Sequence, residues 1–182
     1  MTQRTPVAED ALVPGSDSAT PWARANQRLE TLERNRTYWL STIQPDGRPH
    51  IMPIIGLWLN GAFYFITGES TRKGRNLAAD SRCALSFSST SVPSLDVSVQ
   101  GDARKVTDSR TIQMVADGYG SKMSWQLMVR DGLVFGQNAP TAGPPPYAVF
   151  ELTPRTIIGL PGLTGMEQET SEGPFTPTRW RF

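Results

Sequence analysis

The dipeptide Asn60-Gly61 constrains the fold most strongly, because it separates two largely apolar runs that favour β-strands. These runs cover residues 51–59 and 62–67. Asparagine and glycine both accept the positive φ angles that a two-residue hairpin turn requires. The segment therefore predicts an antiparallel hairpin.

Further strand-like segments surround this hairpin. A Gln-Pro-Asp-Gly turn at 44–47 follows a strand-like run, with proline and glycine where turns favour them. The additional predicted strands are residues 38–43, 82–88, 95–106, 147–152 and 156–160. Six or more strands in hairpin order, without regular βαβ alternation, predict a mainly-β fold: an antiparallel barrel with a few peripheral helices.

Three helices are predicted beside the strands. The first begins with Thr20 as N-cap and Pro21 in the first turn, which are favoured residues at these positions. Its apolar face consists of Trp22, Ala25, Leu29 and Leu32. The second covers residues 71–79. The third begins after Asp108 as N-cap and presents Ile112, Val115 and Tyr119 on one side. Residues 120–146 are predicted to be irregular, and 161–177 to form a lid or connector.

The length of 182 residues suits one domain. Residues 1–20 lack periodicity and are expected to form a flexible tail, which leaves 21–182 as the cofactor-binding domain. A net charge of +1 provides no broad field for nucleic acid or an anionic membrane. The longest apolar run, 51–59, is too short to span a bilayer, so no membrane insertion and a cytoplasmic location are expected.

Cysteine and histidine are each present once, at Cys83 and His50. An intramolecular disulfide is therefore impossible, and the two residues cannot by themselves form a tetrahedral zinc site. Cys83 lies in a strand-like run and is expected to pack in the core. His50 is expected in a solvent-exposed loop, although it is also a possible proton donor.

The best candidate for an anion site is residues 68–77, Gly-Glu-Ser-Thr-Arg-Lys-Gly-Arg-Asn-Leu. Ser70 and Thr71 precede Arg72 and Lys73 at the predicted start of a helix, where free N–H groups and the helix dipole favour an anion. Arg72 can contact a phosphate with two hydrogen bonds, and Lys73 can act as a point charge. The alternative is an N-capped surface helix with solvated basic residues.

Two other segments are candidates for a binding site. In residues 51–56, Pro53 cannot donate a ladder hydrogen bond and Gly56 lets another backbone or a flat ring approach closely, although an ordinary edge strand has the same pattern. In an extended C-terminal segment, Arg179 and Arg181 lie on one face and Trp180 on the other. One face then packs on the core or a partner while the other meets an anion; a docked strand with solvated arginines is the alternative.

The order of these motifs resembles the pyridoxamine 5′-phosphate oxidase-like family of flavin-binding split β-barrels. The resemblance covers residues 28–182. The closing Thr-Arg-Trp-Arg-Phe at 178–182 and the stretch Ala-Pro-Thr-Ala-Gly-Pro-Pro-Pro-Tyr at 139–147 resemble a narrower branch, the actinobacterial deazaflavin-dependent reductases that use coenzyme F420. The Arg-Leu-x-Pro-type tail of true pyridoxamine phosphate oxidases is missing, so that particular activity is not expected.

The resemblance implies that residues 51–56 line the cofactor ring and ribityl chain, that Thr67 contacts one of them, and that the segment at 70–76 holds the phosphate. Many FMN-binding relatives have glutamine at the position of Asp96, and an acid there suits an anionic cofactor poorly. The family's sites lie at a two-fold interface, which implies a homodimer. The expected cofactor contacts are Ile51, Met52, Pro53, Ile54, Gly56, Thr67, Ser70, Thr71, Arg72, Lys73, Asn76, Arg179 and Trp180.

The expected activity is hydride transfer between the deazaflavin and a small conjugated or electron-poor organic substrate, with the hard chemistry done by the cofactor. Trp58, Trp125 or Trp180 is expected to stack nearby. No catalytic side chain is predicted; the proton comes from solvent, His50 or Tyr38. The alternatives are an FMN-dependent oxidoreductase on the same fold and a non-enzymatic protein that binds a cofactor, haem or lipid.

Overall fold

The computed structural model describes residues 4–15, 18–31, 37–88, 94–137, 139, 141–162 and 175–182. The strands are β1 Ala8–Ala11, β2 Tyr38–Ile43, β3 Pro49–Ile54, β4 Gly56–Leu59, β5 Ala62–Thr67, β6 Arg82–Ser88, β7 Leu95–Lys105, β8 Met128–Arg130, β9 Leu133–Phe135, β10 Ala148–Pro161 and β11 Thr178–Arg181. The helices are α1 Trp22–Glu30, α2 Arg72–Ala79 and α3 Ser109–Met123. Within these residues, no helix is long and apolar enough to cross a membrane.

Nine antiparallel strands form one sheet in the order β1-β11-β10-β7-β6-β2-β3, with β4 and β5 attached through β10. In β7 the residues Leu95, Val97 and Val99 are buried and alternate with Asp96 and other outward side chains. This alternation encloses an aromatic core on one side of the sheet. The predicted mainly-β, split-barrel fold with peripheral helices is confirmed.

Strand β10 joins the parts of the sheet because it pairs with three different strands, β5, β7 and β11. Its first residues pair with β5, and almost its whole length pairs with β7. The register between β10 and β7 shifts at Pro154–Thr156, and such an irregularity bends a strand locally. The two late strands predicted at 147–152 and 156–160 are therefore one continuous strand.

The predicted hairpin turn is confirmed, since Asn60 and Gly61 have φ angles of 53° and 77°. The prediction of a single strand at 51–59 is wrong, because the strand is interrupted at Ile55. Before the break β3 pairs with β2, and after it β4 pairs with β5. A change of pairing partner is invisible in a continuous apolar run.

Helix α1 buries Trp22, Ala25 and Leu29 on one face, as predicted, while Leu32 lies outside the described residues. Thr20 is not its N-cap. Pro21 occupies that position without a side-chain bond, and the Thr20 hydroxyl donates to the Thr176 carbonyl instead. The prediction that Asp108 is the N-cap of α3 is confirmed, because Asp108 accepts a hydrogen bond from the Thr111 N–H at 2.8 Å.

The N-terminal segment is not uniformly a tail. Residues Ala8–Ala11 pair with β11, so the prediction of a flexible 1–20 segment is wrong for this strand. The Glu9 carboxylate accepts a hydrogen bond from the Trp22 backbone N–H at 3.0 Å. Glu9 therefore supplies the acceptor at the start of α1 that Thr20 was expected to provide.

The prediction of an irregular 120–146 segment is also wrong. Helix α3 continues to Met123, and β8 and β9 form a hairpin around Asp131 and Gly132. These two residues have φ angles of 53° and 74°, the same turn chemistry as at residues 60–61. Most of the predicted lid at 161–177, residues 163–174, lies outside the described residues.

Candidate functional site

The start of α2 follows directly from the end of β5. The Thr71 hydroxyl donates to the Gly68 carbonyl at 2.8 Å and accepts from the Gly74 N–H at 3.1 Å, which makes Thr71 the N-cap. Thr67 lies 3.1 Å from the same hydroxyl and must be the donor, because the single Thr71 proton is already used. Thr67 and Thr71 thus shape this helix start.

The two basic residues at the helix start have different environments. Arg72 is exposed, and its Nη1 donates to Gln44 Oε1 at 3.1 Å. Lys73 is only 3% exposed and donates to the Thr141 carbonyl. Burial lowers the pKa of Lys73 from 10.5 to about 8. Arg72 therefore faces solvent, whereas Lys73 lies beneath the segment that contains Thr141.

Asn76 and His50 lie further inside the molecule. Asn76 is 2% exposed and donates to the Thr42 hydroxyl at 2.9 Å. His50 is paired with Thr42 in the β2–β3 ladder and is half-buried, so the expected exposed loop position is wrong. Burial, followed by the charges of Arg72 and Lys73, lowers the pKa of His50 below 6.5. The imidazole is consequently mostly neutral at neutral pH.

The predicted contacts in residues 51–56 divide between the two faces of the sheet. Ile51 and Pro53 point outward, and Ile51 is 58% exposed. Met52 and Ile54 point toward the core side, where Ile54 is buried. Gly56 is covered by the Phe63 ring, because a Cβ added at Gly56 would lie 2.3 Å from that ring. The flat ring that approaches Gly56 is thus the protein's own.

Pro53 begins a row of outward side chains that crosses the sheet. Strand register places each residue beside the next, in the order Pro53, Trp39, Ser86, Ser98, Ile158 and Arg179. At the usual strand separation, this row spans ~24 Å. Arg179, which was predicted to contact the cofactor, therefore lies on the same face as Pro53, at the other end of the row.

A pocket of about 420 Å³ opens over the middle of this row. Its apolar wall includes Trp39, Ile158 and Leu160, and Trp39 is 50% exposed. Asp96 lies between Ser88 and Leu160 in the adjacent row. Sequence reasoning missed this pocket because its residues come from four strands, although an outward-facing tryptophan in an alternating strand was a usable signal.

The tryptophans proposed to stack on a cofactor lie elsewhere. Trp180 is 1% exposed, and its indole N–H donates to the Thr20 carbonyl at 3.0 Å. Trp58 is 3% exposed and donates to Asn26 Oδ1 at 2.9 Å. Trp125 packs edge-on against Tyr119 in a separate cluster. The core positions of Trp58 and Trp180 do not support stacking, and Trp39 is the tryptophan on the open face.

The β2–β3 hairpin lies between the two parts of the site. The bond to Gln44 places Arg72 near the end of β2, and Trp39 lies near its beginning. The four positions between Trp39 and Ile43 correspond to ~13 Å along the strand. Helix α2 contacts the core side of β2, where Asn76 bonds to buried Thr42, whereas Trp39 points outward. Arg72 therefore offers an anion contact at the tip of the hairpin, and Trp39 offers an apolar contact on the other face of the sheet.

Comparison with solved structures identifies similar folds. Conserved hypothetical protein Rv2991 from Mycobacterium tuberculosis has a TM-score of 0.59 and 18% identity, covering 94% of this chain and 96% of that chain. A heme binding protein from Mycobacterium smegmatis has a TM-score of 0.54 and 16% identity; the match covers 80% of this chain but 57% of that one. A putative pyridoxamine 5′-phosphate oxidase from Listeria innocua has a TM-score of 0.52 and 15% identity, covering 74% of this chain and 94% of the other.

These low identities show a shared fold, and a search of curated proteins found no match. The comparison with family models is more specific. The pyridoxamine 5′-phosphate oxidase model matches residues 26–160, which include the β2–β3 hairpin, the start of α2 and all the strands that line the pocket. This protein therefore belongs to the pyridoxamine 5′-phosphate oxidase family.

Proposed function

We propose that this protein is a deazaflavin-dependent oxidoreductase that reduces small conjugated or electron-poor molecules with coenzyme F420. The main support is the start of α2, where exposed Arg72 and the first backbone N–H groups of the helix together suit a phosphate. Family membership supports the coarser statement, a flavin-type or other cofactor-binding role. The choice of deazaflavin rests on the motifs at 139–147 and 178–182.

The residues at the start of α2 fit a phosphate. Thr71 satisfies the Gly74 N–H, which leaves the backbone N–H groups of Arg72 and Lys73 at the positive end of the helix. The Arg72 guanidinium can add two parallel hydrogen bonds, and Ser70 is exposed beside it. Lys73 contributes charge from beneath while holding the Thr141 segment in place.

The apolar outer strip fits the flat part of the cofactor. Ile51, Pro53 and Trp39 form a continuous surface on neighbouring positions of β2 and β3. When bound in its reduced form, the deazaflavin supplies the hydride. The role of the protein is to orient the ring and substrate and to exclude water. The proton is delivered by solvent in this proposal.

The same surface supports the proposal of a homodimer. Trp39, Ile51 and Ile55 are 50%, 58% and 42% exposed, an unusual density of large apolar side chains for a free surface. A second copy covering this strip would bury it and enclose the cofactor. Sedimentation should therefore give a dimer mass. A cytoplasmic location stays a prediction.

The first experiment is a fluorescence titration of the purified protein with oxidised coenzyme F420 and, separately, with FMN. Micromolar or tighter binding of the deazaflavin with weak FMN binding supports the proposal. The variant Arg72→Ala should weaken binding ~10- to 100-fold, as expected for loss of charge-assisted hydrogen bonds. Arg110→Ala, at an exposed position of α3, is the control.

Two other outcomes would replace this proposal. Preference for FMN, with a yellow protein and reoxidation by oxygen, would assign an FMN-dependent oxidoreductase. Tight binding without reduction of a panel of quinones and enones would indicate a carrier. One structural neighbour is named as heme binding, but His50 lies on the core side of β3, away from the open strip, which weighs against a haem held there by histidine.

A further inference from the structure

The pocket beside Trp39 has an uneven charge distribution that the proposed cofactor role does not explain. Among the described residues that line it, Asp96 is the one charged side chain, and the other polar side-chain groups are hydroxyls and the Trp39 indole N–H. Ser88 flanks Asp96 on β6, and Leu160 flanks it on β10. The carboxylate thus lies at an edge where an apolar wall meets hydroxyl groups.

Trp39 is a second feature of the pocket that, like the Asp96 carboxylate, favours a positively charged ligand. Half of this side chain is exposed, and it lies in the pocket with Ser86 as its neighbour on β6. The face of an indole ring attracts cations more strongly than other aromatic rings do. An aromatic face and a carboxylate in one pocket both favour a positively charged, planar group.

Arg179 is a cation on the same face, and an ion pair between Arg179 and Asp96 would remove the preference of the pocket for positively charged ligands. It lies beside Ile158, one strand beyond the pocket, and it is in a different row from Asp96. Among the described residues, Arg179 and Asp96 form no ion pair; the register partner of Arg179 on the far side is Asp10. The Asp96 carboxylate is therefore available to a ligand in the pocket.

We infer that this pocket selects planar ligands that carry a positive charge or several N–H donors, and that it disfavours carboxylates. The inference deepens the proposed function and rests on it in one respect: the substrate of the proposed reaction would share this chemistry. Such a substrate differs from the anionic end of the cofactor, which belongs beside Arg72. The pocket and the start of α2 then have opposite charge preferences.

The test uses three planar probes of nearly equal size, namely benzamidine, benzamide and benzoate, with the full-length protein. Affinities are measured by ligand-observed NMR and by shifts of the Trp39 indole signal, assigned with Trp39→Phe. We expect benzamidine to bind most tightly and benzoate most weakly, with a ratio of ~10-fold, because the exposed Asp96 carboxylate attracts the first and repels the second.

Two substitutions separate the contributions. Asp96→Asn should reduce the ratio between benzamidine and benzoate at least ~3-fold, whereas Asp117→Asn, at an exposed position of α3, should leave it unchanged. Arg179→Ala should increase the ratio, because it removes the nearest cation on that face. An unchanged ratio in Asp96→Asn, or equal binding of benzoate and benzamidine, would overturn the inference.

The other outcomes are also decisive. If no probe binds at any protein concentration, a second copy of the chain that covers Trp39 also fills the pocket, and the inference is wrong. Charge selection without binding of F420 or FMN would retain the inference and overturn the proposed function. Cofactor binding without charge selection would retain the proposed function and overturn the inference.

Discussion

Replacing Lys73 with methionine should stabilise the protein at neutral pH. Lys73 is 3% exposed, and burial lowers its pKa from 10.5 to about 8. This change means that the folded state holds the proton less tightly than the unfolded state does. At pH 7 both states are protonated, and the folded state bears a cost of about 3 kcal/mol for the buried charge.

The sign of the pH dependence follows from the two values. Between pH 8 and 10.5 the unfolded chain binds more protons, so the contribution of Lys73 makes stability rise with pH. Methionine has a similar volume and no charge, but it loses the bond to the Thr141 carbonyl, which costs about 1 kcal/mol. The Lys73→Met variant should therefore exceed the native stability by about 1 to 2 kcal/mol at pH 7, and this advantage should vanish near pH 10.

Urea denaturation followed by tryptophan fluorescence, at several pH values from 7 to 10, measures this difference. Subtracting the native curve removes opposing contributions, such as that of Cys83, whose pKa burial raises to about 12. Lys105→Met is the control, because Lys105 is exposed and pairs with Glu69 at 2.9 Å; it should not stabilise the protein. A Lys73→Met variant that is less stable than native by the same amount at pH 7 and 10 would refute the reasoning.

Three further predictions concern the packing around the site. Glu9→Ala should lower the free energy of unfolding by about 1 kcal/mol, because the Trp22 N–H loses its acceptor at the start of α1; denaturation measures the loss. Gly56→Ala should destabilise by about 2 kcal/mol or more, since its Cβ would overlap the Phe63 ring, and a milder loss measured by thermal unfolding would contradict this packing. The Cys83 thiol should react with a disulfide reagent only as fast as the protein opens, so its labelling rate should rise with urea.

Local patterns predicted the parts of the fold that depend on local chemistry. The strands β2, β5 and β6 have the predicted bounds, and β7 ends one residue early, because each is a β-forming run bounded by breaks in the pattern. The break at Ile55 was not predictable in the same way, because it records a change of pairing partner within an apolar run. Strand β1 contains Glu9 and Asp10 and was not recognised, since its pairing with β11 comes from the opposite end of the chain.

The site was predictable to a similar extent. The helix start at Arg72 followed from its position between a strand and a helical pattern. The burial of Lys73 did not follow, because the carbonyl that it contacts lies 68 positions downstream. The pocket was missed for the same reason: Trp39, Ser98 and Ile158 become neighbours only through strand register.

The pairing of β1 with β11 has a consequence for biosynthesis. Asp10 and Arg181 form an ion pair across 171 positions, and β11 lies between β1 and β10. The ribosome must therefore deliver almost all of the chain shown here before this edge of the sheet can assemble. Until then β10 has an open edge on that side, and such an unpaired edge is a template for pairing with other chains.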